Sequence, residues 1–307
     1  MEYRIEQEWQ GRTVKDYLYG VVGVSRSVLT HLKKKEDGIL LNGKRVTVRA
    51  VLKEGDSLCI ALSDTGDLRC EKILPVDLPV HIVYEDDSFL VANKSANMPT
   101  HPTHGHYEDT LANALSFYMQ KKGNTHFVFR AVNRLDRDTS GLVIVAKDQL
   151  SCAKLSAALQ DGKIQKTYLA LLDGVLEADE GLIDRPIRRV SDSIITRECC
   201  ETGQGAQALT RYRVLARYEG YTLVCASPIT GRTHQLRVHF ASIGHPILGD
   251  TLYGSADDRI GRQALHAGLL CFPHPSESRM IRVFCAPPDD MMKWIKENDI
   301  CEIVGMD

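Results

Sequence analysis

The order of strand-like and helix-like segments is the feature that most limits the possible folds of this chain. A helical spacing of apolar residues over 111–122 lies between a hairpin pattern over 81–94 and a strand pattern over 165–176. Two further strands around a turn are predicted within residues 209–227. Because strands and helices mix without the regular alternation of a doubly wound sheet, the sequence predicts an α+β fold.

The length and one linker-like segment indicate how the chain divides. A chain of 307 residues favours two domains. Residues 11–61 read as helix, helix, hairpin and strand, with Asn42-Gly43 as the hairpin turn. Residues 65–78 have the character of a linker. We therefore predict a small domain over 1–70 and a larger domain over 71–307.

Basic residues are concentrated in the small domain, although the whole chain has a net charge of only −2. Residues 26–49 contain seven basic residues against two acidic ones. Such a stripe favours contact with a phosphate backbone, and a solvated helix face is the alternative. The candidate nucleic-acid contacts in this stripe are Arg26, Lys33, Lys34, Lys35, Lys44 and Arg45.

Several other classes of protein fit the sequence poorly. No stretch approaches the roughly 20 apolar residues of a membrane span, and the polar N-terminus does not fit a signal peptide. The nine cysteines form no C-x-x-C pattern, so we expect reduced thiols and a cytoplasmic protein. His101, His104 and His106 lack the partners of a metal site. No heptad pattern is present, which predicts a monomer.

Residues 133–141, NRLDRDTSG, place Asp136 between Arg134 and Arg137. This is either a surface salt-bridge cluster, which contributes little to stability, or a carboxylate held ionised for catalysis. The string DTSG at 138–141 matches the active site of aspartic proteases. That chemistry needs two such aspartates, and the sequence has no second copy, so we interpret 137–141 as a turn.

Four ordered segments carry a resemblance to a known family. They are NRLDRDTSGL, KTYLALLDG, TGRTHQLRVHFASIGHPILGDTLYG and ALHAGLLCFPHP. Together they resemble the pseudouridine synthases of the RluA family, from about Pro79 to Pro287. SRSVLTHLKKKEDGILLNGKRVTV followed by LKEGDSLCI resembles the small RNA-binding module named after a ribosomal small-subunit protein, which many members of that family carry.

The resemblance implies a fold and a reaction. The fold would be the mixed, mainly antiparallel sheet of pseudouridine synthases. The reaction is the isomerisation of uridine within ribosomal or transfer RNA, which needs no cofactor and no metal. A base inside a helix is not accessible for this chemistry, so the target uridine must leave its stack. A carboxylate suits the reaction either as a nucleophile at C1′ or as the group that takes a proton from C2′.

The resemblance also implies roles for individual residues. Asp136 matches the catalytic carboxylate, and Arg237 is expected to pair with it and to favour its ionised form. Tyr168 matches the active-site tyrosine, which could stack on the uracil or transfer a proton. Arg134 is expected to contact the RNA.

Further RNA contacts are expected around residues 183–206 and at the start of a predicted short helix. The candidates are Arg185, Arg188 and Arg232, although a solvated loop is an equal alternative for the first two. The helix is predicted to begin at Thr233, with that residue as its cap, and to end at Gly244. Its positive end could then face a phosphate.

Two departures from the family pattern concern the positioning of the RNA. Asn133 stands where the family usually has histidine, and residues 93–96 read NKSA in place of a lysine-proline turn. Neither change removes a catalytic group. A non-catalytic RNA-binding or ribosome-assembly protein is the alternative function, and a hydrolase would require a second partnered carboxylate that the sequence lacks.

Overall fold

The predicted α+β class is confirmed by the computed structural model, which places most strands in one large sheet. The structure describes residues 2–24, 26–61, 73–193, 195–257, 260–296 and 299. The predicted boundary at residue 70 lies outside the described residues, so the two-domain division stays a prediction. Within the described part of the chain, no helix has the length and apolar character needed to cross a membrane.

The N-terminal unit is a four-stranded antiparallel sheet with two helices. The helices α1 (Val14–Tyr17) and α2 (Arg26–Lys34) pack on it, and a π-helical turn, Leu18–Val22, continues α1. Asn42 and Gly43 have φ angles of 51° and 76°, which is the two-residue turn that the sequence predicts. In the order in which they pair, the strands are β1 (Glu2–Arg4), β4 (Ser57–Ile60), β2 (Ile39–Leu41) and β3 (Lys44–Arg45).

The second sheet has ten strands and forms the centre of the rest of the chain. Its strands are β5 (His81–Glu85), β6 (Phe89–Lys94), β7 (Arg130–Ala131), β8 (Ser140–Ala146), β9 (Gln165–Asp173), β10 (Glu180–Asp184), β13 (Leu209–Tyr218), β14 (Tyr221–Pro228), β15 (Leu265–Pro273) and β16 (Met280–Phe284). The chain also forms a separate two-stranded hairpin of β11 (Ile187–Arg189) and β12 (Arg197–Cys199), here called the basic hairpin.

The large sheet is antiparallel except where β8 pairs with β15. The main strand order is β10-β13-β14-β9-β15-β8-β6-β5. At the parallel junction Gly141 has a φ of +118°, and an added Cβ would lie 2.3 Å from the Ala267 carbonyl oxygen. Glycine is therefore required there by both the backbone conformation and the close approach of the neighbouring strand.

Four helices cover this sheet or its edges. Phe240 of α5 is fully buried and belongs to the same core as Leu115 of α3 and Tyr168 of β9. Leu150 of α4 instead joins the apolar core of the N-terminal unit, so the two sheets are linked through that helix. The helices are α3 (Leu111–Lys121), α4 (Gln149–Gln160), α5 (Gln235–Ser242) and α6 (Asp289–Met292).

Candidate active site

A cleft of about 980 Å³ contains the residues that the motifs single out. Asp136 and Arg134 reach it from the loop between β7 and β8, Tyr168 from β9, and Arg237 from α5. These residues are up to 103 positions apart in the sequence, and the antiparallel strands and one helix bring them to the same depression.

The loop that carries Asp136 is held through its backbone. The Thr139 amide donates to the Asp136 carbonyl oxygen over 3.1 Å, and the Thr100 hydroxyl donates to the Leu135 carbonyl oxygen over 3.1 Å. Lys94 is 1% exposed, and its ammonium donates to three carbonyl oxygens. One of these belongs to Arg137, directly after Asp136, so Lys94 fixes the chain on the far side of the carboxylate.

The sequence did not predict that Lys94 belongs to the site. Burial lowers the pKa of Lys94 to about 7, while the carboxylates of Asp138 and Asp136 act in the opposite direction. Its three acceptors are backbone carbonyl oxygens of Ser95, Met98 and Arg137, which occupy all three N–H groups of an ammonium ion. The signal available in the sequence was that Lys94 lies in residues 93–96, NKSA, where the family has a turn that contains lysine and proline.

Arg237 lies between two carboxylates. Its Nε and Nη2 atoms donate to the two carboxylate oxygens of Asp250 over 2.6 and 2.8 Å, and its Nη1 donates to Asp136 Oδ2 over 3.4 Å. Burial by itself would lower the pKa of Arg237, but the hydrogen bonds and charge of Asp250 outweigh it and raise the pKa. The sequence predicted only the pair with Asp136, and the stronger partner, Asp250, was missed.

Tyr168 lies in the interior of the cleft with little exposed surface. Burial raises the pKa of Tyr168, and the negative charge of Asp136 raises it further. The hydroxyl therefore stays protonated at neutral pH, where it can donate a proton or a hydrogen bond but cannot act as a ready base.

The helix that carries Arg237 begins differently from the prediction. Thr233 was expected to cap the helix, but α5 begins at Gln235 and the residue at the cap is His234, which makes no side-chain cap hydrogen bond. His234 has a φ of 56°, in the left-handed region that non-glycine residues rarely adopt. The predicted end is correct, because Gly244 follows the helix with a φ of 85°.

His234 is directed to the carboxylate instead of to the helix backbone. Its Nε2 atom lies 3.9 Å from Asp136 Oδ2, and its Nδ1 atom lies 2.8 Å from the Tyr253 hydroxyl. The Tyr253 ring also stacks under the Arg237 guanidinium, with 5.1 Å between the cation and the ring centroid. Sequence reasoning assigned no role to either residue, although both lie inside the quoted motif TGRTHQLRVHFASIGHPILGDTLYG.

The predicted RNA contacts around the cleft occupy different settings. Arg134 is exposed at the cleft, and Arg232 lines it while its Nε donates to the Gln207 carbonyl oxygen over 2.9 Å. Arg188 of the basic hairpin pairs with Glu198 over 2.8 Å, which offsets its charge. Arg185 donates to the Ser242 carbonyl oxygen and borders a separate depression of about 660 Å³.

The basic stripe of the N-terminal unit lies on α2 and the β2–β3 hairpin. Lys33, Lys34, Lys44 and Arg45 are exposed, and Lys35 is half-buried. The side chain of Arg26 lies outside the described residues. All of these residues belong to the sheet-and-helix unit that packs on α4.

The Asn133 side chain makes hydrogen bonds to the backbone of β8 of the kind that a neighbouring strand would make. Its amide group donates to the Leu142 carbonyl oxygen over 3.1 Å, and its carbonyl oxygen accepts from the Ile144 amide over 2.8 Å. The side chain thereby binds the backbone of β8 on both sides, in the loop that leads to Asp136. This role requires one donor and one acceptor at fixed positions, and it does not require a charge.

One cluster of buried polar groups lies outside the cleft, and its pKa shifts make it unreactive. Buried Ser140, His266 and Cys285 are neighbours, but burial lowers the pKa of His266 to about 4 and raises the pKa of Cys285 to about 12. The histidine is therefore a poor base and the thiol a poor nucleophile. Among the described residues, no group of three or more His, Cys, Asp or Glu could hold a metal ion.

Comparisons with known proteins agree with the motifs. A family model described as RNA pseudouridylate synthase matches residues 88–242. The Bacillus subtilis protein named uncharacterized RNA pseudouridine synthase YjbO is 39% identical over 284 residues, covering 92% of this chain and 98% of its own.

Two further relatives extend this agreement. Ribosomal large subunit pseudouridine synthase D of Zymomonas mobilis is 38% identical over 234 residues, covering 72% of this chain and 74% of its own. The solved structure of human RNA pseudouridylate synthase domain containing 1 is 28% identical, with a TM-score of 0.60, and covers 75% of this chain and 96% of that one.

Proposed function

The chain belongs to the RNA pseudouridylate synthase family, as an isomerase that converts uridine to pseudouridine in RNA, and we propose that Asp136 is its catalytic carboxylate. The observation that carries this proposal is the meeting of Asp136, Arg237 and Tyr168 in one cleft. Arg237 places its guanidinium beside this carboxylate, with Nη1 3.4 Å from Asp136 Oδ2.

The reaction breaks the N1–C1′ bond of a uridine, turns the base, and joins C5 to C1′. C5 loses its proton to solvent and N1 gains one, so atoms and charge balance without an external reactant. An ionised Asp136 serves either of two routes, attack on C1′ or removal of a proton from C2′. In both routes Arg237 holds the carboxylate in position by donating one hydrogen bond to Oδ2.

Tyr168 supplies the wall against which the detached base is held. Its ring gives the uracil a flat apolar contact, and its hydroxyl remains protonated because burial and Asp136 raise its pKa. A protonated hydroxyl in the cleft can donate a hydrogen bond to a uracil carbonyl oxygen, and the proton that N1 requires comes from solvent.

The cleft receives a uridine that has left its stack, because C1′ and C5 are not both accessible within a helix. Unpaired loops make this step less costly than duplexes do. Arg134, Arg232 and Lys166 line the cleft and supply positive charge for the flanking phosphates. The exposed lysines and Arg45 of the N-terminal unit extend this contact surface beyond the cleft.

The substrate that we propose is RNA of the large ribosomal subunit. This choice is supported by the names of relatives such as ribosomal large subunit pseudouridine synthase D. That the protein is a cytoplasmic monomer stays a prediction from the sequence. Pseudouridine mapping in a strain that lacks the gene tests it. We expect one or more ribosomal positions to lose pseudouridine and to regain it only with an active copy. Loss confined to transfer RNA would contradict the choice of substrate.

The catalytic assignment is tested by release of tritium from RNA that carries C5-tritiated uridine. Asp136→Asn keeps the size of the side chain but removes its charge, so we expect release to fall to background, at least 1,000-fold, as for loss of a nucleophile or base. The matched control is Asp138→Asn, which changes the aspartate that pairs with exposed Arg137.

The control variant is expected to release tritium at a rate close to that of the unmodified protein. Release by Asp136→Asn at a comparable rate would overturn the assignment of Asp136. A folded, RNA-binding protein that releases no tritium from any cellular RNA would instead favour the non-catalytic alternative.

A further inference from the structure

The contacts of Asp136 are confined to one of its two carboxylate oxygens. Arg237 Nη1 lies 3.4 Å from Oδ2, and His234 Nε2 lies 3.9 Å from the same atom. Among the described residues, Oδ1 receives no hydrogen bond and no ion pair. One oxygen is thus held by the protein while the other remains available to the substrate.

The His234 ring is placed by an unfavourable backbone conformation. Its φ of 56° and ψ of 20° lie in the left-handed region, which non-glycine residues rarely adopt. The residue does not cap the helix, so α5 gains no hydrogen bond from its side chain. The side chain is 12% exposed and points to Asp136, where this conformation places it.

The partners of Tyr253 determine which nitrogen of His234 carries the proton. The Tyr253 hydroxyl oxygen accepts a hydrogen bond from the Arg197 amide over 2.9 Å. Its own hydrogen is then free to donate to His234 Nδ1, which lies 2.8 Å away. A neutral imidazole that accepts at Nδ1 carries its proton on Nε2, the atom that faces Asp136.

The charges around His234 favour the neutral ring. Burial lowers the pKa of His234, and the cations of Arg237 and Arg197 lower it further, whereas the carboxylates of Asp136 and Asp250 oppose them. A neutral ring with Nε2–H donates to Asp136 without neutralising it. It therefore steadies the carboxylate and leaves its negative charge to the reaction.

We propose that His234 is a positioning residue for Asp136, and that the backbone of the basic hairpin sets its tautomer through Tyr253. The proposal rests on the assigned role of Asp136. Nε2–H of His234 and Nη1–H of Arg237 together hold Oδ2, so Oδ1 is directed at the uridine ribose. At 3.9 Å the contact of His234 Nε2–H with Oδ2 is electrostatic and longer than a hydrogen bond.

The same geometry connects the carboxylate to a surface that the RNA contacts. Arg197 begins β12 of the basic hairpin, and Tyr253 packs with Ile187, Cys199 and Val238 between the hairpin and α5. A shift of the hairpin moves the Arg197 amide and so weakens the hydrogen bond that orients Tyr253. An RNA strand that held the hairpin in its present position would preserve this hydrogen bond, and with it the arrangement in which His234 Nε2–H faces Asp136.

Tyr253→Phe tests the inference, because it removes the hydroxyl but keeps the ring under Arg237. We expect single-turnover tritium release at saturating RNA to fall on the order of 10- to 100-fold, as for loss of an outer orienting group, while the RNA concentration for half-maximal rate changes little. The matched control is Tyr107→Phe, which removes the hydroxyl of a tyrosine that is 62% exposed and outside the cleft.

A spectroscopic measurement reports the tautomer directly. In protein labelled with ¹⁵N-histidine, the His234 ring is assigned by its absence in His234→Asn, since asparagine tolerates the left-handed conformation. We expect protonated Nε2 and unprotonated Nδ1 in the unmodified protein, and loss of this preference in Tyr253→Phe. An Nδ1–H tautomer in the unmodified protein would overturn the inference.

A double variant that combines Tyr253→Phe with His234→Asn separates a positioning role from general damage to the fold. Because Tyr253 acts through His234, the double variant is expected to be no slower than His234→Asn alone. Additive losses, or Tyr253→Phe with an unchanged rate, would overturn the inference. Activity of Asp136→Asn would instead overturn the proposed function itself, so the two failures are distinguishable.

Discussion

At the scale of single residues, the guanidinium of Arg237 divides its hydrogen bonds between two carboxylates, those of Asp250 and Asp136. Asp250 is fully buried and takes two hydrogen bonds from the guanidinium, whereas Asp136 is 26% exposed and takes one longer contact. The fully buried partner holds the cation, and the partly exposed one is left for chemistry. A planar guanidinium is required for this arrangement, because lysine has no fork of donors.

Asp250→Asn tests this division of roles. The substitution leaves Arg237 buried without its main counter-charge, and loss of one partner of a buried pair typically costs about 3–5 kcal/mol. We expect a decrease of that order in the free energy of unfolding, measured by urea titration, together with a large fall in tritium release. Glu198→Gln, in the exposed pair with Arg188, is the control and is expected to cost about 1 kcal/mol or less. Equal effects of the two substitutions would contradict the interpretation.

At the scale of elements, the parallel junction between β8 and β15 supports the loop that carries Asp136. His266 of β15 lies 2.9 Å from the Ser140 hydroxyl of β8 through Nδ1, and its Nε2 donates to the Cys285 carbonyl oxygen over 3.1 Å. The buried neutral imidazole thereby links β8, β15 and the end of β16. Ser140 follows Asp136 by four residues, so this link fixes the strand into which the catalytic loop leads.

The buried His266 predicts a loss of stability in acid. Burial lowers its pKa to about 4 from an ordinary value of 6.5. Between these values the unfolded chain binds a proton that the folded protein does not, so stability is retained above pH 6.5 and is lost as the pH falls toward 4. The slope from this residue is about 1.4 kcal/mol per pH unit. Urea titrations across this pH range are expected to show that the free energy of unfolding changes less steeply with pH in His266→Gln. The control, His126→Gln at an exposed position, is expected to keep the slope of the unmodified protein.

An unchanged slope in His266→Gln would show that other groups produce the acid sensitivity. The substitution is also expected to lower stability at pH 7, because glutamine cannot reproduce both hydrogen bonds in the same place. The change in slope, and not the change in absolute stability, is therefore the informative quantity.

At the scale of the whole molecule, the N-terminal unit is joined to the large sheet through α4. Leu150 belongs to the core of the N-terminal unit, and Ala153 packs against that core. This contact sets the position of the basic stripe relative to the cleft. The proposal predicts that one RNA molecule contacts both surfaces, with the stripe contributing affinity and the cleft contributing chemistry.

Removal of charge from the stripe should weaken RNA binding without slowing the reaction. We expect the triple variant Lys33→Ala, Lys34→Ala and Lys44→Ala to bind RNA more weakly. The slope of log K, the logarithm of the binding constant, against the logarithm of the salt concentration should become shallower by about 2. Each of the three lost contacts with single-stranded RNA contributes about 0.7 to this slope. Tritium release at saturating RNA should stay unchanged. Filter binding across a salt series measures the first effect and single-turnover kinetics the second.

The control for the stripe carries three alanines at exposed lysines outside the N-terminal unit and the cleft, Lys121, Lys293 and Lys296. It removes the same net charge but is expected to keep the salt dependence of the unmodified protein. If both triple variants behave alike, general charge and not the stripe attracts the RNA.

The sequence by itself determined the fold class, most of the elements and the residues on which the proposed chemistry rests. The periodicity of apolar residues, the Asn42-Gly43 turn and the glycine after α5 are local signals that act over a few residues, so they can be recognised in the sequence. The motifs around Asp136, Tyr168 and Arg237 identified the family for a similar reason, because each is a continuous stretch. The sequence did not indicate how Arg237 divides between two carboxylates, although Asp250 lies in the same stretch.

Only the tertiary structure decided which groups meet. Asp250 lies 13 residues from Arg237 and 114 from Asp136, and Lys94 reaches the carbonyl oxygen of Arg137 from 43 residues away. The helix start was wrong at Thr233 because the contacts of His234 with Asp136 and Tyr253 lie outside the local chain that predicts caps. Burial, hydrogen-bond partners and pKa shifts depend on neighbours across the fold, and these are set only when strands and helices pack.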